Sequence, residues 1–379
     1  MKLSLAIIGL LLLVGIGIYL FLSRSQFGQA PTAEDVARFQ SMTNFDAKTK
    51  TFQNLVPDPK GGKVDLFTAF KEMIFGAEIR SPSVPFPSQN PDIQAFLAKD
   101  GVRLKWIWLG HSTFYANLEG RLILVDPVFA SAAPVSFMVT RFSKPMVALK
   151  DLPKPDIVLI SHDHYDHLDA AVIRELAKDA PQFLVPMGIG RRLTSWGVDP
   201  SKIREMNWHE SFDDAGLKFV SVPAQHFSGR SGTDKNETLW TGWIIESQDF
   251  KLYYSGDTGY APHFKDIGER YGPIDVAFIE CGQYNLLWQY VHMLPDEVIQ
   301  AVKDLKTRAF TPMHWGMFVL AIHDWYEPIE KVARMAERDG LTIWHPELGQ
   351  LVKFEAMPPP AAWWRNHPDF VQAKAKGAL

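Results

Sequence analysis

The sequence predicts an α/β fold in which two β-sheets pack against each other and helices cover them outside. Three observations lead there. Between about residues 102 and 354, short β-type runs split by turns are interspersed with helical stretches, which suits one large domain of layered sheets and helices. Of 379 residues, 46% are apolar and 22% charged, enough to fill a sizeable core and too apolar for wholesale disorder. Polar loops rich in histidine and aspartate follow the buried runs, the place where a rigid scaffold presents chemistry.

Taken in order, the chain opens with Leu3 to Leu22, an uncharged and almost wholly apolar run of 20 residues. At ~1.5 Å rise per residue such a helix spans the ~30 Å hydrocarbon layer, so residues 1–24 are expected to be a single-pass membrane anchor. The alternative is a cleaved signal peptide ending near Gly28-Gln29-Ala30. Lys2 precedes the run, and Arg24 and Arg38 follow it against Glu34 and Asp35. That thin asymmetry places the remainder of the chain on the extracytoplasmic side of the membrane. Residues 25–101 read as an extension rich in Pro, Gln, Ser and Asn that lies on a domain surface. Within it Phe67, Phe70, Met73 and Ile74 form a helical stripe over Val64 to Gly76, read as a core-packing helix or as one that contacts lipid.

Residues 102–355 carry the main pattern. Leu104–Leu109, Phe114–Leu118 and Arg121–Val125 read as strands, with a hairpin at Glu119-Gly120. Ile157–Ile160 is a buried strand, and Asp169 stands where a cap is wanted for a helix near Ala170–Ala180. Further strands are expected at Phe183–Pro186, Leu217–Val222, Trp240–Ile245, Leu252–Tyr254 and Val276–Ile279, and helices near Asp296–Lys306 and Glu327–Arg338. Residues 356–379, with Pro358-Pro359-Pro360 and Trp363-Trp364, look like a tail wrapped on the surface.

With 39 Lys+Arg against 43 Asp+Glu, the net charge of −4 excludes a protein that binds nucleic acid by bulk charge. The single cysteine, Cys281, excludes an intrachain disulfide and a thiolate zinc knuckle, and reads as a buried small residue. The histidines are more informative. Directly after Ile157–Ile160 comes Ser161-His162-Asp163-His164-Tyr165-Asp166-His167-Leu168-Asp169. In an extended stretch alternate side chains point the same way, so His162 and His164 can share one metal. Asp166 and His167, after the chain turns toward the helix, can face a second. Imidazole and carboxylate suit zinc, and iron or manganese accept the same set. One cluster cannot complete two sites. His226 after Phe219–Ala224, Asp257 after Leu252–Ser255 and His314 after Phe310–Met313 all stand in the first loop residues after a strand and are candidates to complete them.

This order of residues resembles the metallo-β-lactamase fold hydrolases over about residues 102–354, and within them the N-acylphosphatidylethanolamine-hydrolysing phospholipase D branch. Trp108-Leu109-Gly110-His111, Asp126-Pro127, Ser161 to Asp169, Gly256-Asp257-Thr258-Gly259-Tyr260 and His314-Trp315-Gly316 carry the resemblance. It implies an αββα sandwich with two zinc ions per chain. It also implies His162, His164 and His226 on one zinc, Asp166, His167 and His314 on the other, and Asp257 bridging both. His292, in Tyr290-Val291-His292, matches a position near the scissile phosphate, where it donates a proton or holds a phosphate oxygen. His111 and Asp126 are expected to orient ligands. Asp166, Asp257 and His292 are the catalytic candidates, around a hydroxide shared by two ions that needs no protein nucleophile. Gln283, Tyr284, Trp288 and Tyr290 precede His292 and suit either a substrate groove or plain packing. The substrate implied is an N-acylated glycerophospholipid, with a soluble lactone or phosphorylated sugar derivative as the alternative and a metal-bearing scaffold as a third, weaker one.

Overall fold

In the computed structural model of the chain, which describes residues 15, 17, 21, 24–58, 65–76, 78–135, 137, 139–356 and 358–377, two seven-stranded sheets share one core. A hairpin of β1 (Phe45–Asp46) and β2 (Thr51–Phe52) precedes them. The first large sheet holds β3 (Leu104–Gly110), β4 (Thr113–Leu118), β5 (Arg121–Val125), β6 (Ile157–Leu159), β7 (Gln182–Pro186) and β8 (Ile203–Met206). The second holds β9 (Ser211–Asp214), β10 (Leu217–Val222), β11 (Gly242–Glu246), β12 (Lys251–Tyr254), β13 (Ile274–Glu280), β14 (Thr307–Met313) and β15 (Thr342–Ile343). The last strand, β16 (Leu351–Lys353), returns to pair with β3, so the orders are β16-β3-β4-β5-β6-β7-β8 and β9-β10-β11-β12-β13-β14-β15. Each sheet runs through three antiparallel pairs and then three parallel ones. The repeat of pairing has no counterpart as a fixed period in the sequence.

The central strands are apolar on both faces because both faces are covered, whereas edge strands such as β9 are polar and partly exposed. In β3, Trp106 and Trp108 enter the core between the sheets, while Ile107 and Leu109 turn outward to the helices. Phe278 of β13 meets them from the opposite sheet, stacked on Phe114 at 4.1 Å between ring centroids and edge-on to Trp106 at 5.4 Å. The helices Ala170–Leu176 and Gly190–Ser195 cover the first sheet. The helices His263–Arg270, Pro295–Asp304 and Glu327–Asp339 cover the second. The expected αββα layering is present. Asp169 caps its helix by accepting from Ala171 N–H and Val172 N–H, and Glu119 and Gly120 both take positive φ at the β4–β5 turn, as a two-residue hairpin requires.

The terminal segments pack into this frame. Phe39, Phe45 and Phe52 form a small cluster with Met187, Trp208 and Trp240. Trp363 and Trp364 of the tail are buried in the main core, Trp364 donating from Nε1 to Glu330. The helix expected over Val64 to Gly76 forms at Leu66–Phe75 behind an Asp65 cap, and Phe67 on it is exposed.

The membrane-spanning helix is a correction. Among the described residues no helix is long and apolar enough to cross a membrane. Leu3 to Leu22 lies almost wholly outside them. Apolar composition alone suggested the anchor, and the single-pass localisation and the extracytoplasmic placement that depended on it go with it.

Candidate metal centre

The loops that end β3, β5, β6, β10, β12 and β14 meet on one edge of the two sheets, and all seven expected ligands come together there. His162 Nε2 lies 2.8 Å from His164 Nδ1, which lies 3.2 Å from His226 Nε2. Donor atoms of His162, His164, His226 and Asp257 all lie within 4.8 Å of one another. Beside them Asp166, His167 and His314 form a second group together with His111, within the same limit. Asp257 stands between the two. Its Oδ1 is 3.1 Å from His167 Nε2 and 3.0 Å from His314 Nδ1, and its Oδ2 is 3.8 Å from His162 Nε2 and 3.7 Å from His226 Nε2.

Two observations test whether cations fit. Asp257 Oδ1 is buried next to two imidazole nitrogens and yet makes no properly directed hydrogen bond, as expected where lone pairs converge on a shared point. Ligand nitrogens at ~2.0–2.1 Å from a tetrahedral ion sit a little over 3 Å apart, close to the spacings seen. Charge gives the second test. Asp126, Asp166 and Asp257 are all buried, and no Lys or Arg pairs with any of them among the described residues. Three carboxylates out of water need positive charge beside them. The donor set fits two divalent cations.

For four of the five histidines, His162, His164, His226 and His314, the protonation tendency agrees, and His167 is the exception. Burial, reinforced by the neighbouring imidazoles, holds His162 and His226 well below the usual histidine range, and burial brings His314 down to about 3. Neutral imidazoles are what a cation needs. His167 is opposed by burial too, but Asp257, Asp166 and Asp126 outweigh it and hold the ring well above its usual range.

Neighbouring groups aim these candidate donors. Asp126 Oδ2 accepts from His167 Nδ1 at 2.6 Å, from Ser161 Oγ at 2.5 Å and from Tyr254 Oη at 2.5 Å. His111 Nε2 sits 3.0 Å from Asp166 Oδ2. His226 Nδ1 donates to Val291 O at 3.0 Å, which leaves Nε2 for the centre. His111, Asp126 and His314 take positive φ, a strain that persists where surrounding structure fixes it. Gly256, at φ 58, admits the Asp257 loop against Ser161, since a Cβ there would lie 2.7 Å from Ser161 Cβ.

Several supporting residues had no reading from sequence. Asp163, inside the histidine cluster, points away from the centre and pairs with buried Arg192 at 2.9 Å, and Arg192 pairs again with Asp234 at 2.7 Å. Asn54 grips His226 by its main chain, donating from Nδ2 to His226 O at 2.7 Å and accepting from His226 N–H at 3.0 Å. Nothing in a polar loop 172 residues away signals this. Glu280, by contrast, was findable: it ends the buried run Val276–Ile279 as Asp257 ends its own strand. His292 Nδ1 lies 3.1 Å from Glu280 Oε2. Burial pushes the Glu280 carboxyl up to about 7, while for His292 the same carboxylate overcomes burial and raises the ring.

The centre forms the floor of a cleft of about 800 Å³. Its lining combines polar residues, Gln53, Asn54, Asp58, Lys235 and Asn236, with apolar and aromatic ones, Phe227, Leu287, Trp288, Tyr290 and Leu320. Gln283 also lines it, whereas Tyr284 borders a neighbouring hollow.

Residues 121–315 match the family described as the beta-lactamase superfamily domain. The chain belongs to the metallo-β-lactamase superfamily. It is a metal-dependent hydrolase of that superfamily, with the two His/Asp clusters as its candidate metal sites. A Mycobacterium tuberculosis protein described as uncharacterized is 38% identical over 300 residues, 78% of this chain and 80% of that one. The N-acyl-phosphatidylethanolamine-hydrolyzing phospholipase D 1 of Caenorhabditis elegans is 34% identical over 245 residues, 61% of this chain and 69% of that one. Among solved structures, a metallo hydrolase from the archaeon Ignicoccus hospitalis aligns at 25% identity and a TM-score of 0.52, covering 67% of this chain and 99% of that one.

Proposed function

We propose that this hydrolase is a phosphodiesterase of phospholipase D type that uses two zinc ions to cleave N-acylphosphatidylethanolamine-like glycerophospholipids. The observation that carries the reading is Asp257 shared between two adjoining donor groups at the foot of a cleft lined by both polar and apolar side chains. The similarity to the nematode phospholipase D supports the substrate class. In this reading His162, His164 and His226 hold one ion, Asp166, His167 and His314 the other, and Asp257 both.

Two ions held there supply hydroxide near neutral pH and positive charge for the phosphoryl oxygens. The rest falls to the chain. Asp126 and His111 keep His167 and Asp166 aimed, so little reorganisation is needed as charge develops. Leu287, Trp288 and Leu320 in the lining shelter acyl chains and exclude water, while Lys235 attracts the anionic diester. His292 lines the cleft with a donor atom within 4.8 Å of donors on Asp257 and His314. It donates a proton to the departing alcohol oxygen as the P–O bond breaks. Phosphatidic acid and an N-acylethanolamine leave.

Purified full-length protein loaded with zinc and given N-acylphosphatidylethanolamine is expected to release both products by mass spectrometry, with two zinc ions per chain by elemental analysis. Turnover of a lactone or a sugar phosphodiester without turnover of the phospholipid overturns the substrate assignment. Hydrolysis by protein free of any bound cation overturns the whole reading.

A further inference from the structure

Glu280 is the last residue of β13, a strand otherwise built almost wholly of apolar residues packed between the layers. A carboxylate buried there costs several kcal/mol unless its hydrogen bonds are met, and no Lys or Arg reaches it among the described residues. Its two oxygens have two partners. Oε2 faces His292 Nδ1 at 3.1 Å, and Oε1 accepts from Met293 N–H at 2.7 Å. The carboxylate therefore holds both the ring of His292 and the main chain beside it. The ring is fixed on its other sides as well, stacked on His314 at 5.1 Å and 11° and edge-on to His226 at 5.1 Å. With Nδ1 turned to Glu280, Nε2 is the nitrogen left for the cleft. A packing role at this position would be served by another valine or isoleucine. A carboxylate is needed only to accept from a neighbour.

We infer that Glu280 is the positioning residue of the leaving-group histidine, its carboxylate accepting from Nδ1–H and orienting the doubly protonated ring of His292 so that Nε2–H points at the departing oxygen, the ring being left neutral with its proton on Nδ1. This rests on the phosphodiesterase reading for the place of His292. Hydroxide adds to phosphorus, the P–O bond to the alcohol breaks with its electron pair left on oxygen, and that oxygen takes the Nε2 proton. The water that replaces the spent hydroxide returns a proton to Nε2 as it ionises. The sum is phosphodiester plus water giving phosphomonoester plus alcohol.

The test compares two substrates with one phosphoryl group and different leaving groups, N-acylphosphatidylethanolamine and a phosphatidyl 4-nitrophenyl ester, using zinc-loaded full-length protein. An alkoxide needs the proton and a nitrophenolate does not. E280Q is expected to lower kcat on the first by about 10²-fold with KM little changed, and on the second at least tenfold less, at wild-type zinc content. E280D, which keeps the charge on a shorter arm, is expected to lie between. Equal losses on the two substrates, no loss on either, or a zinc loss that tracks the activity would refute the assignment. A readout independent of turnover is the Nδ1 proton of His292 in spectra of ¹⁵N-histidine protein, identified by its absence in H292N. It is expected downfield in the wild type and in E280D, and an unchanged resonance in E280Q also refutes the inference. If the wild-type protein cleaves neither ester, the phosphodiesterase reading fails, while the resonance still reports whether Glu280 holds the ring.

Discussion

The two seven-stranded sheets repeat one pattern of pairing, three antiparallel steps followed by three parallel ones, yet they deliver their chemistry differently. The first sheet places four of the seven donors in a single loop after β6, His162 to His167, with Asp126 behind them. The second sends three donors from three separate loops, His226 after β10, Asp257 after β12 and His314 after β14. In the first half local chain geometry brings ligands together. In the second only the sheet does, so its candidate donors depend on long-range packing and on glycines such as Gly282, where a Cβ would lie 2.1 Å from His314 O.

If the halves meet at Asp257, its removal should break both. Asp257→Ala is expected to have the largest effect, lowering activity by roughly 10³-fold, the few kcal/mol that ions contribute in such sites, and releasing metal from both groups in elemental analysis. Loss of one equivalent only would show that Asp257 does not join the halves. Asp126→Asn acts chiefly on one group, since Asp126 bonds His167 directly and reaches His162 only through Ser161 Oγ. It weakens the hold on His167, so affinity is expected to fall by about 10–100-fold at the Asp166, His167 and His314 group. The other group keeps its affinity in a metal titration, and equal weakening of both contradicts the division drawn above. The smallest effect separates acid loss of the fold from acid loss of the site. His263, six residues beyond Asp257, is buried, and burial brings it down to about 3. The neutral ring's contribution is therefore complete above pH ~6.5 and lost as pH falls, by roughly 2 kcal/mol at pH 5. His263→Phe is expected to lose less stability than the wild type between pH 7.5 and 5 in urea unfolding, and an identical loss rejects the assignment.

The same contrast explains what could be read in the sequence. The cluster from His162 to His167 speaks for itself, because alternate residues of an extended stretch face one way. Strands β5 and β10 carry the bounds that their apolar runs gave. His226 and His314 stood only as strand-end residues until the family resemblance joined them to the cluster. Short edge strands such as β9 and β16 escaped because a run of three or four residues carries too little periodicity. Trp363 and Trp364 were misread as surface because their prolines mark the end of a pattern without telling what the following residues pack on. The apolar run near the start misled in the opposite sense: hydropathy reports solvent preference, and the described residues hold no spanning helix.

Asn54 has a consequence for anyone trimming this chain. A clone begun at residue 102, where the layered pattern starts, retains all seven donors but leaves His226 without the amide that grips its main chain from 172 residues away. Trp240 Nε1 also loses one of its two acceptors, Asn54 Oδ1 at 2.9 Å, and keeps Ala224 O at 3.0 Å. The shortest faithful version of this hydrolase therefore starts well ahead of its first core strand, and the hairpin of β1 and β2 belongs to the working part.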